Sequence, residues 1–410
     1  MNARMRKATE QMVVEFKGWI KSLAEDAAAI RDASGMDALE RRIREEGQSL
    51  LGRSFQGLLE AVLDDLPAAR SCPRCGSLRR HKGRRERGLI SSVGSIRLSG
   101  PYWYCRDCGG QHALETLAGG SASRVMRELL CLLGTGLASF AKAEAASKKL
   151  LGVTVSEAFI RRLCQREGRA AQVRPAPMDA KEPTDLVGSC DGTMVNTTQA
   201  GWKELKAYQF RHSNHRHGRA YLESSDRFLP RIRRAAVAMK AGRARRLFWV
   251  SDAAEWIDKG ISKQLPMAKR IVDIRHAKQH VHEASRKIFG EGTSRARQWA
   301  ERYCRELRQY GGWTVWNSLR RVRYKDSERQ EALDALLTFL RRNANRMDYP
   351  TYERAGWPVS SGPMESFCKQ LGQRLKGPGM RWSMRNIDPM AALVSLWANE
   401  EWDTHWQSAA

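Results

Sequence analysis

The sequence lacks a long hydrophobic run. Its longest uncharged, mainly apolar stretch extends from about Leu129 to Ala141 and contains two glycines. That is too short to cross a bilayer, which takes roughly 20 residues in a helix. The basic residues near the N-terminus are not followed by the apolar segment of a secretory signal. We therefore expect a cytoplasmic protein without membrane contact.

Acidic residues are few relative to basic ones. The 410 residues include 45 Asp and Glu against 71 Lys and Arg, which gives a formal net charge of +26. The hydrophobic fraction of 42% is enough for a buried core, and the length suggests roughly two to four domains. This charge favours a polyanionic partner such as nucleic acid over a small acidic metabolite. A merely solubilising charge excess is the alternative interpretation.

Disulfide frameworks are not expected, because the nine cysteines belong to a chain predicted to be cytoplasmic. Five are scattered and are predicted to be small buried hydrophobes. The other four form two Cys-x-x-Cys pairs, each followed by glycine: Cys72 with Cys75, and Cys105 with Cys108. Four thiolates in this spacing predict a closed, tetrahedral, structural zinc site within a zinc ribbon. Unligated thiols are the alternative.

The predicted ribbon is strongly basic. Five of its cations are candidate contacts to DNA phosphates: Arg79, Arg80, Lys82, Arg84 and Arg85. Tyr102, Trp103 and Tyr104 follow on the next predicted strand. We expect these aromatic rings to lie in the ribbon core, with stacking on bases as the alternative.

A helix-turn-helix is predicted after the ribbon. A helix of small residues begins near Ser139 and ends at Gly152, and Ser156 can cap a second helix. Arg161 and Arg162 would face outward from that second helix, as a recognition helix in a DNA groove requires. An ordinary pair of antiparallel helices is the competing interpretation.

Three carboxylates occur in settings that suggest chemistry. Asp191 and Asp252 each follow an apolar run with strand character, and Glu365 lies at the start of a predicted helix. We expect Asp191 and Asp252 to close their strands at one edge of a sheet, where ligands bind. Three such carboxylates can hold two Mg²⁺ or Mn²⁺ ions about 3.5–4 Å apart for phosphoryl transfer. The alternative is that each acid only caps a helix or stabilises a turn.

These residues and their neighbours resemble bacterial insertion-sequence DDE transposases. The likeness is to the ISKra-type group, relatives of the Mutator-like transposases, and it extends over about residues 70–400. It rests on these ordered stretches: Cys190–Thr193, Trp202–Lys206, Ser251–Ile257, Asp273–His276, Ser361–Ser366 and Gln373–Ser383. Two positions depart from the group's pattern, since Ala253 stands where glycine is usual and Asp273 where cysteine is usual.

The resemblance implies an α/β fold with an RNase H-like catalytic core. The residue patterns and the resemblance together predict an N-terminal helical region (1–69), a zinc ribbon (70–118), a helix-turn-helix-like DNA-binding region (119–180) and a catalytic domain (181–400) with a helical insertion at about 285–350. The N-terminal helices, the zinc ribbon and the helix-turn-helix-like region would all precede the catalytic core and serve as DNA-binding segments.

The resemblance also implies roles for single residues. Asp191, Asp252 and Glu365 would form the metal-binding triad, with two Mg²⁺ ions per active site. His276 would orient the scissile phosphate, although Asp273 and His276 could instead cap the next helix. Lys369 and Lys376 fall near the same helical face as Glu365 and are candidate contacts to the DNA backbone.

The sequence thus predicts a DNA transposase of the bacterial nucleoid. It would bind the terminal inverted repeats of its element and join them to target DNA, as at least a dimer because two ends must be paired. One rival is a non-catalytic zinc-ribbon and helix-turn-helix regulator derived from a transposase. Another is a structure-selective nuclease that cuts without joining.

Overall fold

The computed structural model describes residues 3–66, 71, 72, 74–118, 120–171, 173, 175, 177, 178, 183–213 and 215–408. The chain divides into two compact units, Met1–Cys164 and Gln165–Ala410. The expected domain boundaries at 69/70 and 180/181 lie outside the described residues, as does residue 119 at the third boundary. Among the described helices, none has the length and apolar character needed to cross a membrane.

The first unit begins with two long helices, α1 (Ala3–Ala28) and α2 (Ala33–Asp65). An antiparallel sheet follows, in the order β1 (Arg79–Ser91), β2 (Gly94–Cys105) and β3 (Gly109–His112). Leu63 of α2 is fully buried in one cluster with Leu89 and Leu98 of the sheet. Helix α2 and the ribbon therefore share a hydrophobic core.

Four further helices follow the ribbon: α3 (Leu114–Ala118), α4 (Arg124–Gly136), α5 (Phe140–Leu151) and α6 (Glu157–Ala170). Gly152 ends α5 in the left-handed conformation, with φ of 65°, which glycine adopts at little cost. The Ser156 hydroxyl accepts a hydrogen bond from Phe159 N at 3.2 Å and caps α6. This is the helix, turn and helix expected from the sequence.

The second unit is built on a five-stranded mixed sheet in the order β6-β5-β4-β7-β8. Its strands are β4 (Asp185–Thr197), β5 (Gly201–His212), β6 (His215–Tyr221), β7 (Arg246–Ser251) and β8 (Lys269–Val272). The first three form an antiparallel meander, whereas β7 and β8 run parallel to β4. Strand β7 is an almost continuous apolar run because both of its faces are covered.

Helices cover both faces of this sheet. Trp249 belongs to one core with α7 (Ser225–Ala238) and α8 (Glu255–Gln264), and Phe248 belongs to another core with the helices after β8. Since neighbouring residues of a strand point to opposite faces, the two cores lie on opposite sides of the sheet.

The second core is largely helical. It includes residues of α9 (Ile274–Phe289), α10 (Ser294–Tyr310), α11 (Gly312–Leu319), α12 (Ser327–Asn343) and α13 (Tyr349–Arg354). Residues 285–350, where the helical insertion is expected, fall within this set. The chain then forms α14 (Gly362–Leu375), α15 (Met384–Ala398) and α16 (Trp402–Ser408).

Candidate functional site

Asp191, on β4, lies level with Asp252, which comes directly after the neighbouring parallel strand β7. Gly188 of β4 lies opposite Trp249 of β7, an offset of 61 residues (249 − 188). The same offset separates Asp191 from Asp252, which follows the last residue of β7. Side chains alternate between the two faces of a strand. In this alternation both acids fall on the face that packs against the helical core of α9–α13. Two distant parts of the chain thereby bring their carboxylates to one place on one face.

The expectation that Asp191 closes its strand is wrong. Strand β4 continues from Asp191 to Thr197 because it stays paired with β5, where Asp191 lies opposite Ala207. It is the parallel neighbour, β7, that ends beside Asp191. The apolar run in the sequence marks only the part of β4 that lies between two neighbours.

The surroundings of Asp191 disfavour a negative charge. Burial raises the pKa of its carboxyl group, and the nearby carboxylates of Asp252 and Glu204 raise it further. A hydrogen bond from Gly192 N, at 2.7 Å, and the charge of His276 act in the opposite direction. A buried carboxylate with other acids close to it offers a donor set suited to a hard divalent cation.

Asp252 belongs to a turn that does not require glycine. Its Oδ1 accepts a hydrogen bond from Ala254 N at 3.1 Å, directly before α8. Ala253 packs against the helical core and is not among the described residues with positive φ. The alanine at this position is therefore accommodated without backbone strain.

Glu365 lies in the first turn of α14, which packs against β4 and β5. Its Oε1 accepts from Lys369 Nζ and its Oε2 from Arg275 Nη1, each at 2.8 Å. The ion pairs, with Lys369 first, lower the pKa of this carboxyl group. Both oxygens of Glu365 are thus engaged by cations.

The three acids do not converge tightly. Within the part of the chain that the structure describes, the cysteine quartet is the one group of three or more His, Cys, Asp or Glu whose ligand atoms all lie within 4.8 Å of one another. Cys368, one turn after Glu365 on α14, has a thiol pKa raised by burial and by the charge of Asp191. The helix of Glu365 thus faces Asp191, while the Glu365 carboxylate itself is bound by Arg275 and Lys369.

Asp273 connects the starts of α9 and α14. It is buried, and its Oδ1 accepts from Arg275 N at 2.6 Å, which caps α9. Its Oδ2 accepts from the backbone N–H of Ser361, at 2.6 Å, and from the Ser361 hydroxyl. The capping interpretation is therefore correct for Asp273, which also determines where Glu365 stands.

His276 does not share in this cap. Its Nε2 lies 3.2 Å from Nε2 of His280, and the two rings meet edge to face. His280 stacks on Phe339 with ring centroids 3.8 Å apart, and burial together with His276 lowers the pKa of His280. His276 is near enough to Asp191 to stabilise its carboxylate electrostatically. Its orientation of a scissile phosphate stays a prediction.

Sequence reasoning assigned no role to Glu204 and Lys206, although both belong to a stretch that carries the resemblance. Lys206 is only 7% exposed, and its Nζ lies 2.6 Å from Glu204 Oε2. An added Cβ at Gly192 would stand 2.3 Å from Glu204 Oε1, so a larger residue there would require the Glu204 side chain to move. Lys206 also lies over the ring of Trp256 at 5.6 Å.

The predicted cysteine cluster is confirmed. The four sulfur atoms lie within 4.8 Å of one another, and Cys75 Sγ is 3.6 Å from Cys105 Sγ. Gly76 and Gly109 have φ values of 77° and 79°, the left-handed conformation that each knuckle needs. Hydrogen bonds from Ser77 lower the pKa of Cys75 to about 6, and the bond to Cys75 raises that of Cys108 to about 12. The thiolate of Cys75 thus disfavours ionisation of the neighbouring Cys108. This is expected for closely spaced zinc ligands whose negative charges the ion would neutralise.

The basic residues of the ribbon lie on its surface, and the aromatic rings do not form its core. Arg80, Lys82, Arg84 and Arg85 are exposed, and Arg79 is partly buried. Tyr104 is 44% exposed, and Tyr102 and Trp103 are half-buried outside the shared core. Arg85 lies 3.9 Å over Tyr102, and Arg79 lies 5.3 Å over Trp103. The expectation that these rings lie in the ribbon core is wrong, because two of them contact arginine side chains at the surface instead.

The remaining candidate contacts to DNA are exposed. Arg161 and Arg162 face outward from α6, opposite the buried Ile160 and Leu163. Lys376 is exposed at the C-cap of α14. The binding of DNA by any of these side chains remains a prediction.

Comparison with known proteins gives no family assignment. No family model matches the chain, and no curated protein matches it. A solved Drosophila P element transposase strand transfer complex aligns over 69% of this chain and 79% of that chain, with 10% identity and a TM-score of 0.28. An intasome of simian T-cell lymphotropic virus, in complex with PP2A regulatory subunit B56 gamma, aligns over 48% and 67%, with 11% identity and a TM-score of 0.16. Similarities this distant assign neither fold nor activity, so the function is argued from the chain's own residues.

Proposed function

We propose that this protein is a DNA transposase that cleaves the ends of an insertion sequence and joins them to target DNA. The observation that carries the proposal is the placement of Asp191, on β4, level with Asp252, which directly follows the parallel strand β7. Two carboxylates in this position, on a chain of net charge +26, suit metal-assisted reaction at a phosphodiester.

The topology of the sheet supports an RNase H-like core. Three antiparallel strands are followed by two that run parallel to the first, and helices cover both faces. The helices at residues 285–350 come between Asp252 and Glu365 in the chain, as the family resemblance implies. Glu365 then returns on α14 to the face that carries the two aspartates.

Two of the three acidic side chains are available to bind two divalent ions, Mg²⁺ or Mn²⁺. Asp191 and Asp252 offer adjacent hard oxygen atoms, and Asp191 has a pKa raised by burial and by nearby acids. Bound ions would activate the attacking hydroxyl and stabilise the leaving oxygen. Glu365 would complete the ligand set only after it leaves Arg275 and Lys369, and His276 would help to hold the phosphate.

The first unit would recognise the ends of the element. Its zinc ribbon presents exposed arginines and Lys82, and α6 presents Arg161 and Arg162. These cations would bind the terminal inverted repeats, while Lys369 and Lys376 would contact DNA beside the catalytic acids. Two ends must be held together, so we propose that the protein acts on DNA as at least a dimer.

A strand-transfer assay with purified protein tests this function. The donor duplex carries the sequences that flank the gene, the target is a supercoiled plasmid, and Mg²⁺ is added. We expect joining with wild type and with Asp226→Asn, which changes an exposed acid in the first turn of α7. Asp191→Asn should lower joining by at least about 1,000-fold because it removes a metal ligand, while end binding stays intact.

Other outcomes identify the rivals. Joining that persists in Asp191→Asn would overturn the assignment. Specific binding of the flanks with neither cutting nor joining would favour the regulator, and cutting without joining would favour the nuclease.

A further inference from the structure

A cavity of about 690 Å³ lies beside Glu365, on the face of the sheet that carries Asp191. Its lining is strongly cationic, and five of its residues carry or can carry a positive charge: Arg211, His215, Arg216, Arg275 and Lys369. Among the described lining residues, Glu365 is the single carboxylate. A cavity with this charge is suited to an anion.

The least compensated charge belongs to Arg211. It lies directly opposite Arg216 in the antiparallel pairing of β5 and β6, where two like charges destabilise a hairpin. The Arg211 side chain is half-buried, and its guanidinium has no hydrogen bond or ion pair with another described residue. Burial, followed by the charge of Arg216, lowers its pKa. The fold thus keeps a guanidinium in a costly position.

The other cations are only partly neutralised. Arg216 pairs with Glu400, whose side chain is 70% exposed. Arg275 and Lys369 share Glu365, and both are more than two-thirds exposed to water. Incoming phosphate oxygens could therefore replace Glu365 as the acceptor for these two side chains.

The forked guanidinium groups favour a particular kind of anion. Arginine binds the paired oxygens of a phosphate through two parallel hydrogen bonds. Gln209 and Gln370 line the same cavity and add neutral donors. Its position beside Glu365 suits a phosphate that belongs to the same strand as the reacting one.

We propose that this cavity binds a backbone phosphate of the DNA strand that reaches Asp191 and Asp252, with Arg211 as a positioning residue. The proposal rests on the proposed function, since it assumes that DNA is the substrate. It goes beyond the basic residues expected from the sequence because Arg211 and Arg216 become a pair only through the register of β5 and β6.

Equilibrium binding of the full chain to the flanking duplex, without Mg²⁺, is the first test. We expect Arg211→Gln to weaken binding about tenfold and to lower the slope of log K against log salt by about 1. The matched control is Arg233→Gln, which removes an exposed guanidinium from α7, beyond the opposite face of the sheet. If both variants lost the same affinity for DNA, the effect would come from the lower net charge alone, and the proposal would be overturned.

A second measurement leaves the protein unchanged. Duplexes are prepared in which one phosphate at a time is a neutral methylphosphonate. One position should weaken wild-type binding about tenfold and have little effect on Arg211→Gln, because the two changes remove the same contact. Additive losses at every position would contradict a direct contact. A merely structural role of Arg211 predicts no such position.

Two further arms separate the remaining explanations. If the cavity serves a free anion, inorganic phosphate should raise the melting temperature of wild type but not of Arg211→Gln, while DNA binding of the two proteins is equal; that result overturns the proposal. In Asp191→Asn, the methylphosphonate at that position should weaken binding as it does in wild type. Adding Arg211→Gln to Asp191→Asn should remove that effect. If wild type shows this coupling but joins no strand in the presence of Mg²⁺, the phosphate site is supported and only the proposed function fails.

Discussion

At the scale of single residues, Asp185 and Asp191 share one strand and have opposite electrostatic surroundings. Asp185 accepts hydrogen bonds from Arg245 Nε at 3.0 Å and from Arg246 Nη2 at 2.6 Å. Although burial acts to raise it, the pKa of Asp185 is lowered by these two arginines, with Arg246 the stronger. Burial and the nearby carboxylates of Asp252 and Glu204 instead raise the pKa of Asp191. Of the two, only Asp191 calls for an external cation.

We expect Asp185→Asn to destabilise the protein by about 1 kcal/mol at neutral pH, because the ion pairs with Arg245 and Arg246 are partly exposed to water. A folded-state pKa below the ordinary value gives stability that is present above that value and is lost as the pH falls through the folded pKa. The difference from wild type should therefore shrink as the pH falls below 3.8. Urea unfolding across this range measures it, and an equal loss at acidic and neutral pH would contradict the assignment.

At the scale of elements, the position of Glu365 depends on a connection between two helices. Asp273 caps α9 with one oxygen and holds Ser361, at the start of α14, with the other. A backbone hydrogen bond from Ile274 N to Val359 O, at 3.0 Å, lies beside this connection. The helices are separated by α10–α13 in the chain, so only the tertiary fold brings them together.

Asp273→Asn should destabilise the second unit by about 2 kcal/mol and also weaken strand transfer. All three groups bonded to Asp273 are donors, so an amide must turn its own N–H groups toward one of them and leave it unsatisfied. Chemical denaturation and the joining assay measure the two effects. The control is Asp326→Asn at the exposed cap of α12, where asparagine caps as well as aspartate. Equal effects of the two substitutions would show that capping alone matters.

At the scale of the whole molecule, the two compact units are stabilised differently. The second has two extensive apolar cores, one on each face of its sheet. The ribbon in the first unit shares a small apolar cluster with α2 and carries the four cysteines at its other end. A small sheet of this kind gains much of its stability from a bound metal.

We expect Cys105→Ser to lower the zinc content of the protein and to unfold the ribbon, because three thiolates and a hydroxyl make a poor zinc site. Elemental analysis measures the zinc. Hydrogen exchange should rise at residues 79–112 and stay unchanged in β4 and β7. The control, Cys304→Ser, alters a buried thiol of the second unit outside the quartet and should retain zinc. Undiminished zinc in Cys105→Ser would refute the site.

Some features of the candidate site could be predicted from the sequence because they depend on near neighbours. Two residues between thiols, followed by glycine, are enough to shape each knuckle of the quartet. Ser156 and Gly152 likewise determine a cap and a helix end within one turn of chain. The apolar run before Asp191 correctly predicted a buried strand, but it misplaced the end of that strand, since pairing with β5 is not encoded locally.

The net charge, the cysteine knuckles and the identities of the acids follow from the order of amino acids alone. Tertiary structure alone decided that Asp191 lies level with Asp252, through the register of β4 and β7. It also decided that Arg275 binds Glu365, 90 residues further along the chain. The physical reason is that charge and knuckle geometry depend on composition and adjacent residues. Register and ion pairs between distant segments depend on how the whole sheet and its helices pack.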